Sequence, residues 1–217
     1  MPSEYERTIA VDAEVEIEVR KSRFLCSLAR VATECEARAR IDDVRKRYWD
    51  ANHHCTAWRI GAGGRLQRSS DDGEPAGTAG IPILDVLIHR GLSDTVAIVT
   101  RYFGGTKLGA GGLFRAYGSA VSTAIERAGI VERRPLHMIE TAIAHADAGR
   151  VEHALRASGF SLSSVTYNAE NVMIAVQVSP DQREPYRAWL GEVTAGSADP
   201  HDAGVEYVDV PLGPGSR

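Results

Sequence analysis

The chain has 217 residues, of which 43% are hydrophobic and 25% charged, and its formal net charge is −4. These values are those of an ordinary soluble globular protein with one large or two small domains, and they exclude a molecule that is basic overall. Charge is unevenly spread: residues 137–217 carry 5 Lys/Arg against 11 Asp/Glu, and residues 1–136 carry 20 against 18, so a polyanion is expected to meet the first part.

Cys26, Cys35 and Cys55 are an odd set without CxxC spacing, which argues against a disulfide framework or a cysteine zinc site. The polar start "MPSEYERTIA" has no signal-peptide core, and no apolar run nears the roughly 20 residues that span a bilayer. The expectation is a cytoplasmic protein in a reducing compartment, with no membrane contact.

Strand signals come first. "AVDAEVEIEV" alternates apolar and acidic residues, and "SRFLCSLARV" follows the basic pair Lys21 and Arg23. Thr33 and Glu36 form a capping-box pattern that opens a helix reaching Arg47. "CTAWRIG" (residues 55–61) reads as a strand, and "AGGRLQRSSDDGEPAGTAG" as a long loop. A helix over residues 81–90 is closed by Gly91, and "DTVAIVTRYF" is a buried strand. The spacing predicts a long helix over residues 110–128, with one apolar face at 113, 116, 117, 120, 121, 124, 125 and 128, ended by Gly129.

"VERRPL" (residues 131–136) reads as a linker between domains 1–133 and 137–211. Beyond it, "HMIETAIAH" is a strand, a helix follows Asp147, and "FSLSSVTY" and "VMIAVQVS" flank the turn "NAEN". Ser179, Pro180 and Gln182 start a second helix, and "VEYVDVPL" is a last strand. This βαββαβ order is that of the ferredoxin-like split βαβ. The tail, residues 212–217, is expected to be disordered.

"TRYFGGTKLGAGGLFRAYG" (residues 100–118) holds six of the 21 glycines, and its only charges are Arg101, Lys107 and Arg115. Glycine permits close backbone approach, and a helix start presents unpaired N–H groups at a positive dipole end. Gly104, Gly105, Gly109, Gly111 and Gly112 thus suit an anion site, and they equally suit a tight strand-to-helix turn with close packing. No nucleotide fingerprint is present: a Walker loop requires Gly-Lys-Ser/Thr, and Lys107 is followed by Leu108. No cofactor or metal is expected.

"SDDGEPAGTAGIPILDVL" followed by "VAIVTRYFGGTKLGAGGLFRAYG", with "HHCTAWRIG" and "KSRF", closely resembles the signature of the YigZ/IMPACT family. The resemblance covers about residues 15–130, and the βαββαβ remainder resembles the second domain of the bacterial branch. It implies an α+β protein whose first domain, with a left-handed βαβ unit, is similar to domain 2 of a small-subunit ribosomal protein. It implies a second domain of ferredoxin-like βαββαβ form. Functionally it implies regulation of translation and the stress response by a protein that meets RNA, the ribosome or a translation factor.

Other residue groups admit chemistry. Asp71, Asp72 and Glu74 are close enough in sequence to hold Mg²⁺ or to act as acid and base, and Asp72-Gly73 is also turn chemistry, the reading preferred here. His53, His54 and Cys55 suggest a thiol–imidazole dyad, with strand alternation favouring the His53–Cys55 pair; a buried cysteine beside surface histidines is the preferred reading. Among the rings near the basic residues, Phe103 is expected to be buried, while Tyr102 and Tyr117 suit either burial or stacking on a base.

Together these observations point to a regulator of translation that binds RNA or the ribosome through Arg101, Lys107, Arg115 and the glycine-loop amides, supported by Lys21, Arg23 and Arg68. The alternative is an enzyme acting on a small phosphorylated or peptide substrate at the same loops, with Asp72 and Glu74 as its catalytic groups.

Overall fold

The computed structural model describes residues 5–212 and separates into two compact units. One runs up to Arg133 and takes up the chain again from Asp209; the other is Arg134–Val208. The expected disordered tail falls, after Leu212, outside the described residues.

The first unit is built on strands β1 (Glu6–Ile9), β2 (Ala13–Val19), β3 (Ser22–Arg30), β4 (His53–Ile60), β5 (Leu66–Ser70) and β6 (Thr95–Tyr102). Its helices are α1 (Glu34–Arg47), α2 (Gly80–His89) and α3 (Ala110–Ala128). The main sheet has the order β2-β3-β6-β4-β5, with every neighbouring pair antiparallel. β6 therefore lies at the centre, and its seven residues Thr95–Arg101 are all buried. At the edge, β2 turns Val15, Ile17 and Val19 inward and Glu14, Glu16 and Glu18 outward, which keeps the edge charged.

Strand alternation gives the sheet two covered faces. Phe24, Cys26, Leu28, Cys55, Ala57, Ala97 and Val99 pack under α2 and α3. Ala29, Val31, Trp58, Ile60, Val96 and Ile98 pack under α1 with Ala37 and Val44. The α3 face expected from its 3.6-residue period is the face that is buried, from Leu113 to Ala128. At α1 only half of the capping box forms: Thr33 Oγ1 accepts from the Glu36 amide, while the Glu36 carboxylate accepts from the amide of Ala32.

Two readings of the sequence are corrected here. β5 lies inside the stretch read as a loop, because "LQRSS" is held by its register with β4 (Ile60↔Leu66 to Thr56↔Ser70) and not by burial of side chains. Residues 131–136, read as a linker, belong to strand β7 (Ile130–Ile143). β1 pairs with Ile130–Arg133 and the next partner strand with His137–Ile143, so Pro135, which has no N–H to give, falls in the gap between the two ladders.

In the second unit β7 is joined by α4 (His145–Ala157), β8 (Ser161–Tyr167), β9 (Val172–Val178), α5 (Arg183–Thr194) and β10 (Pro200–Pro211). The sheet order β10-β7-β9-β8 is the ferredoxin-like arrangement expected from the βαββαβ sequence. Ile139, Val151, Leu155, Val172, Ile174, Tyr186 and Leu190 are in its core, and Phe160 meets Tyr186 edge-on at 5.1 Å. The capping box of Ser179 and Gln182 opens the turn that leads into α5.

Candidate nucleic-acid interface

All the candidate residues lie in the first unit, where the end of β6, the start of α3 and the "DDGEP" loop converge. Arg101 is the penultimate residue of β6 and is 5% exposed. Its Nη1 donates to Glu74 Oε1 at 2.6 Å, and Glu74 is itself buried. The Tyr117 hydroxyl, from α3, donates to the same carboxylate oxygen at 2.8 Å. Burial drives the Tyr117 phenol far up, so it remains a neutral donor. His53 places Nε2 4.0 Å from Glu74 Oε1, and its Nδ1 donates to the Asp72 carbonyl at 2.9 Å. Ser22 Oγ lies 3.4 Å from Arg101 Nη2 and accepts from the Gly104 amide at 3.1 Å.

The "DDGEP" loop owes its shape to Asp71, whose carboxylate accepts from the amides of Gly77, Ala79 and Gly80 at 2.8–3.0 Å. Partial burial pushes this carboxyl up, but the three amide bonds outweigh it and the net shift is downward. Asp72 points elsewhere: it accepts from the His54 amide at 2.6 Å and from Arg45 of α1 at 2.9 Å. Asp72 and Glu74 therefore serve different partners and do not converge as an acid–base pair. Turn formation, the preferred reading of this loop, is the role the geometry gives Asp71. Among the described residues no group of three or more His, Cys, Asp or Glu could hold a metal ion.

Cys55 is buried, and its thiol donates to the Asp71 carbonyl at 3.0 Å and contacts the Tyr117 hydroxyl at 3.3 Å. Burial pushes this thiol up to about 12, which removes the thiolate a nucleophile needs. His53 shares the face of Cys55 but engages Glu74 and Asp72, whereas His54 is buried on the α1 side with Nε2 3.0 Å from the Tyr48 carbonyl. The reading of both histidines as surface groups is corrected for His54: β4 has a helix on each face, so both alternations are covered.

The predicted cationic set is divided by the sheet. Lys107 and Arg115 are exposed and have no ion-pair partner among the described residues, and Lys21 is exposed in the β2–β3 turn. Arg101 is not a free cation, since Glu74 neutralises it inside the core. Arg23 is paired with Glu16 at 2.7 Å and stands over Tyr102, on the α1 side. Arg68 is also on that side, opposite Trp58 in register and beside Arg38 and Arg45.

The glycines divide too. A Cβ on Gly104 would lie 2.0 Å from the Lys21 carbonyl, so this glycine lets two backbones touch. Gly105 and Gly109 have φ of 82° and 73° with open space around them, as turn residues do. Gly111 also faces open space, and Gly112 lies against Leu108.

The expected burial of Phe103 is corrected. Phe103 is 47% exposed, because it stands one residue beyond β6 and escapes the sheet. Its amide donates to Asn52 Oδ1 at 2.8 Å, and the Arg101 guanidinium lies 5.5 Å from its ring centre. Phe114, on the outer side of α3, is 45% exposed, whereas Tyr117 is fully buried and Tyr102 donates to Asp50. Asn52, Ser22 and the His53–Glu74 contact were not picked out from the residues as parts of a site. The only signal was that "KSRF" and "HHCTAWRIG" belong to the recognised signature, which marks positions without giving roles.

The fold and site define a two-unit α+β protein whose first unit carries a glycine-rich loop before a long helix. A sequence model of the Impact N-terminal domain matches residues 20–125, and one named domain of unknown function (DUF1949) matches residues 141–197. The chain belongs to the IMPACT family. It is 43% identical over 202 residues to the IMPACT family member YvyE of Bacillus subtilis, covering 93% of each chain. To the IMPACT family member YigZ of Escherichia coli it is 45% identical over 121 residues, 55% of this chain and 59% of the other. A crystal structure described as a hypothetical protein is similar with a TM-score of 0.59 and 33% identity, over 91% of this chain and 97% of that one. No helix among the described residues is long and apolar enough to cross a membrane.

Proposed function

We propose that the protein is a cytoplasmic regulator of translation that contacts RNA or the ribosome through the glycine-loop face of its first unit. The observation that carries this reading is the exposure of Phe103 and Phe114 beside the unpaired cations Lys107 and Arg115. Single-stranded nucleic acid is held by such a combination: rings stack on bases for about 1–3 kcal/mol each, and cations track phosphates. No acid occurs in the chain between Asp94 and Glu126, and Glu74, which lines the adjoining cavity, is paired with Arg101. Membership of the IMPACT family is consistent with this role.

The test is binding of a single-stranded RNA oligomer, and of ribosomes, across a salt series with Lys107→Ala, Arg115→Ala and the double variant. Each lost phosphate contact reduces the slope of log K against log salt by about one unit, alike for all sequences. An unchanged affinity and slope in a double variant that melts like the parent rejects the proposal.

A further inference from the structure

Beside the start of α3 is a cavity of about 460 Å³, within the size range of small-ligand sites. We propose that this cavity binds one nucleotide unit, with its phosphate at Lys107 and the α3 N-terminus and its base against Phe103. The inference rests on the reading of this face as a nucleic-acid contact, and it adds a subsite of defined chemistry.

Charge selects the first half of the ligand. Arg101 and Glu74 both line the cavity, but they neutralise each other at 2.6 Å, so Lys107 is the lining group with an uncompensated charge. Ala110 and Gly111 open α3, and their N–H groups have no partner among the described residues, as at any uncapped helix start. A second, independent feature marks the same place. Arg101, only 5% exposed, lines the cavity, and its Nε has no hydrogen-bond partner among the described residues. An anion seated here meets a lysine and a helix dipole beside a buried guanidinium whose hydrogen bonds are incomplete.

Shape and polarity select the second half. Phe103, Leu108 and Leu113 make the walls apolar, which an inorganic anion would leave unused. The Phe103 ring is steadied by the Arg101 guanidinium 5.5 Å from its centre and is about half exposed. Asn52 spends its carbonyl oxygen on the Phe103 amide, which leaves its NH₂ to donate to a base edge. His53 also lines the cavity, with Nε2 4.0 Å from Glu74 Oε1. An aromatic ring with mixed donors and acceptors joined to a phosphate uses all of these groups.

The full-length protein is titrated by calorimetry with each of the four ribonucleoside 5′-monophosphates, with the matching nucleosides and with inorganic phosphate. At least one monophosphate is expected to bind with Kd below about 1 mM, and its nucleoside and free phosphate about tenfold more weakly. Lys107→Ala weakens the monophosphate about tenfold. Ala110→Trp, at an exposed position on the rim, fills the cavity and abolishes binding, while Arg127→Ala, exposed at the far end of α3 and outside the cavity, changes nothing. Failure of all four monophosphates, or parental affinity in folded Lys107→Ala and Ala110→Trp, overturns the inference. RNA that binds while every monophosphate fails also overturns it and leaves the RNA reading standing. A short oligoribonucleotide that displaces the bound monophosphate supports the inference with RNA as the source of the nucleotide unit. A monophosphate that binds while RNA does not supports the cavity and rejects the RNA reading.

Discussion

Arg101 and Glu74, 27 residues apart in sequence, meet at 2.6 Å with side chains that are 6% and 3% exposed. The pair ties the end of β6 to the "DDGEP" loop, and Tyr117 adds α3 to the same carboxylate. Removing one partner strands the other charge in the core. Arg101→Met is expected to cost about 3–5 kcal/mol in urea unfolding. The double variant Arg101→Met with Glu74→Leu is expected to recover most of that loss, because no buried charge remains. A single variant as stable as the parent would show that the pair is not a structural tie.

Two glycines of the loop are expected to respond oppositely to alanine. At Gly104 the new Cβ would lie 2.0 Å from the Lys21 carbonyl, and both sides of that contact are backbone. Gly104→Ala is expected to cost about 3 kcal/mol or more, or to prevent folding. Gly111 faces open space inside α3, so Gly111→Ala should stabilise by up to about 1 kcal/mol. Melting curves of the two variants check the contrast.

Asp71 supplies a pH dependence. Its folded carboxyl is held below the ordinary value by the Gly77, Ala79 and Gly80 amides. A lowered folded value means that the stabilisation is fully present above about pH 4, the unfolded range, and is lost as pH falls through the folded value. Asp71→Asn is expected to cost about 1–3 kcal/mol at pH 7 and to flatten the fall of stability below pH 4. An unchanged acid limb in urea titrations would remove Asp71 from that role.

The cysteines are expected to separate by exposure. Cys35 is exposed, while Cys26 and Cys55 are buried and burial pushes both thiols up, that of Cys55 to about 12. At pH 7 a thiol reagent should modify Cys35 first, and the other two only on unfolding. Mass spectrometry of the partly labelled protein locates the adduct, and fast labelling of Cys55 would contradict the geometry.

Much of this molecule was legible in its residues, for reasons that differ by element. α3 repeats its apolar positions at the helical period over 19 residues, a signal no turn or strand can imitate. The βαββαβ order followed from the caps and alternations after His137, and the signature in residues 70–118 pointed to the family. β5 escaped because a short polar edge strand announces nothing; its partner β4 holds it by backbone bonds. The linker reading failed because Arg133, Arg134 and Pro135 have loop composition, yet the strand on either side is fixed by β1 and β9.

The residues alone determined which groups were available: a glycine-rich turn, a run free of acids, three basic side chains around it and a buried-type cysteine. Only the tertiary structure decided which of them are free to act. Arg101 is spent on Glu74, Arg23 and Arg68 lie on the α1 side of the sheet, and Phe103 stands outside the core. Each of these outcomes depends on a partner tens of residues away or on which face a strand register presents. Local composition and period carry neither, because a side chain's charge and shape are written in its own residue, whereas its burial and pairing belong to the neighbours that folding brings.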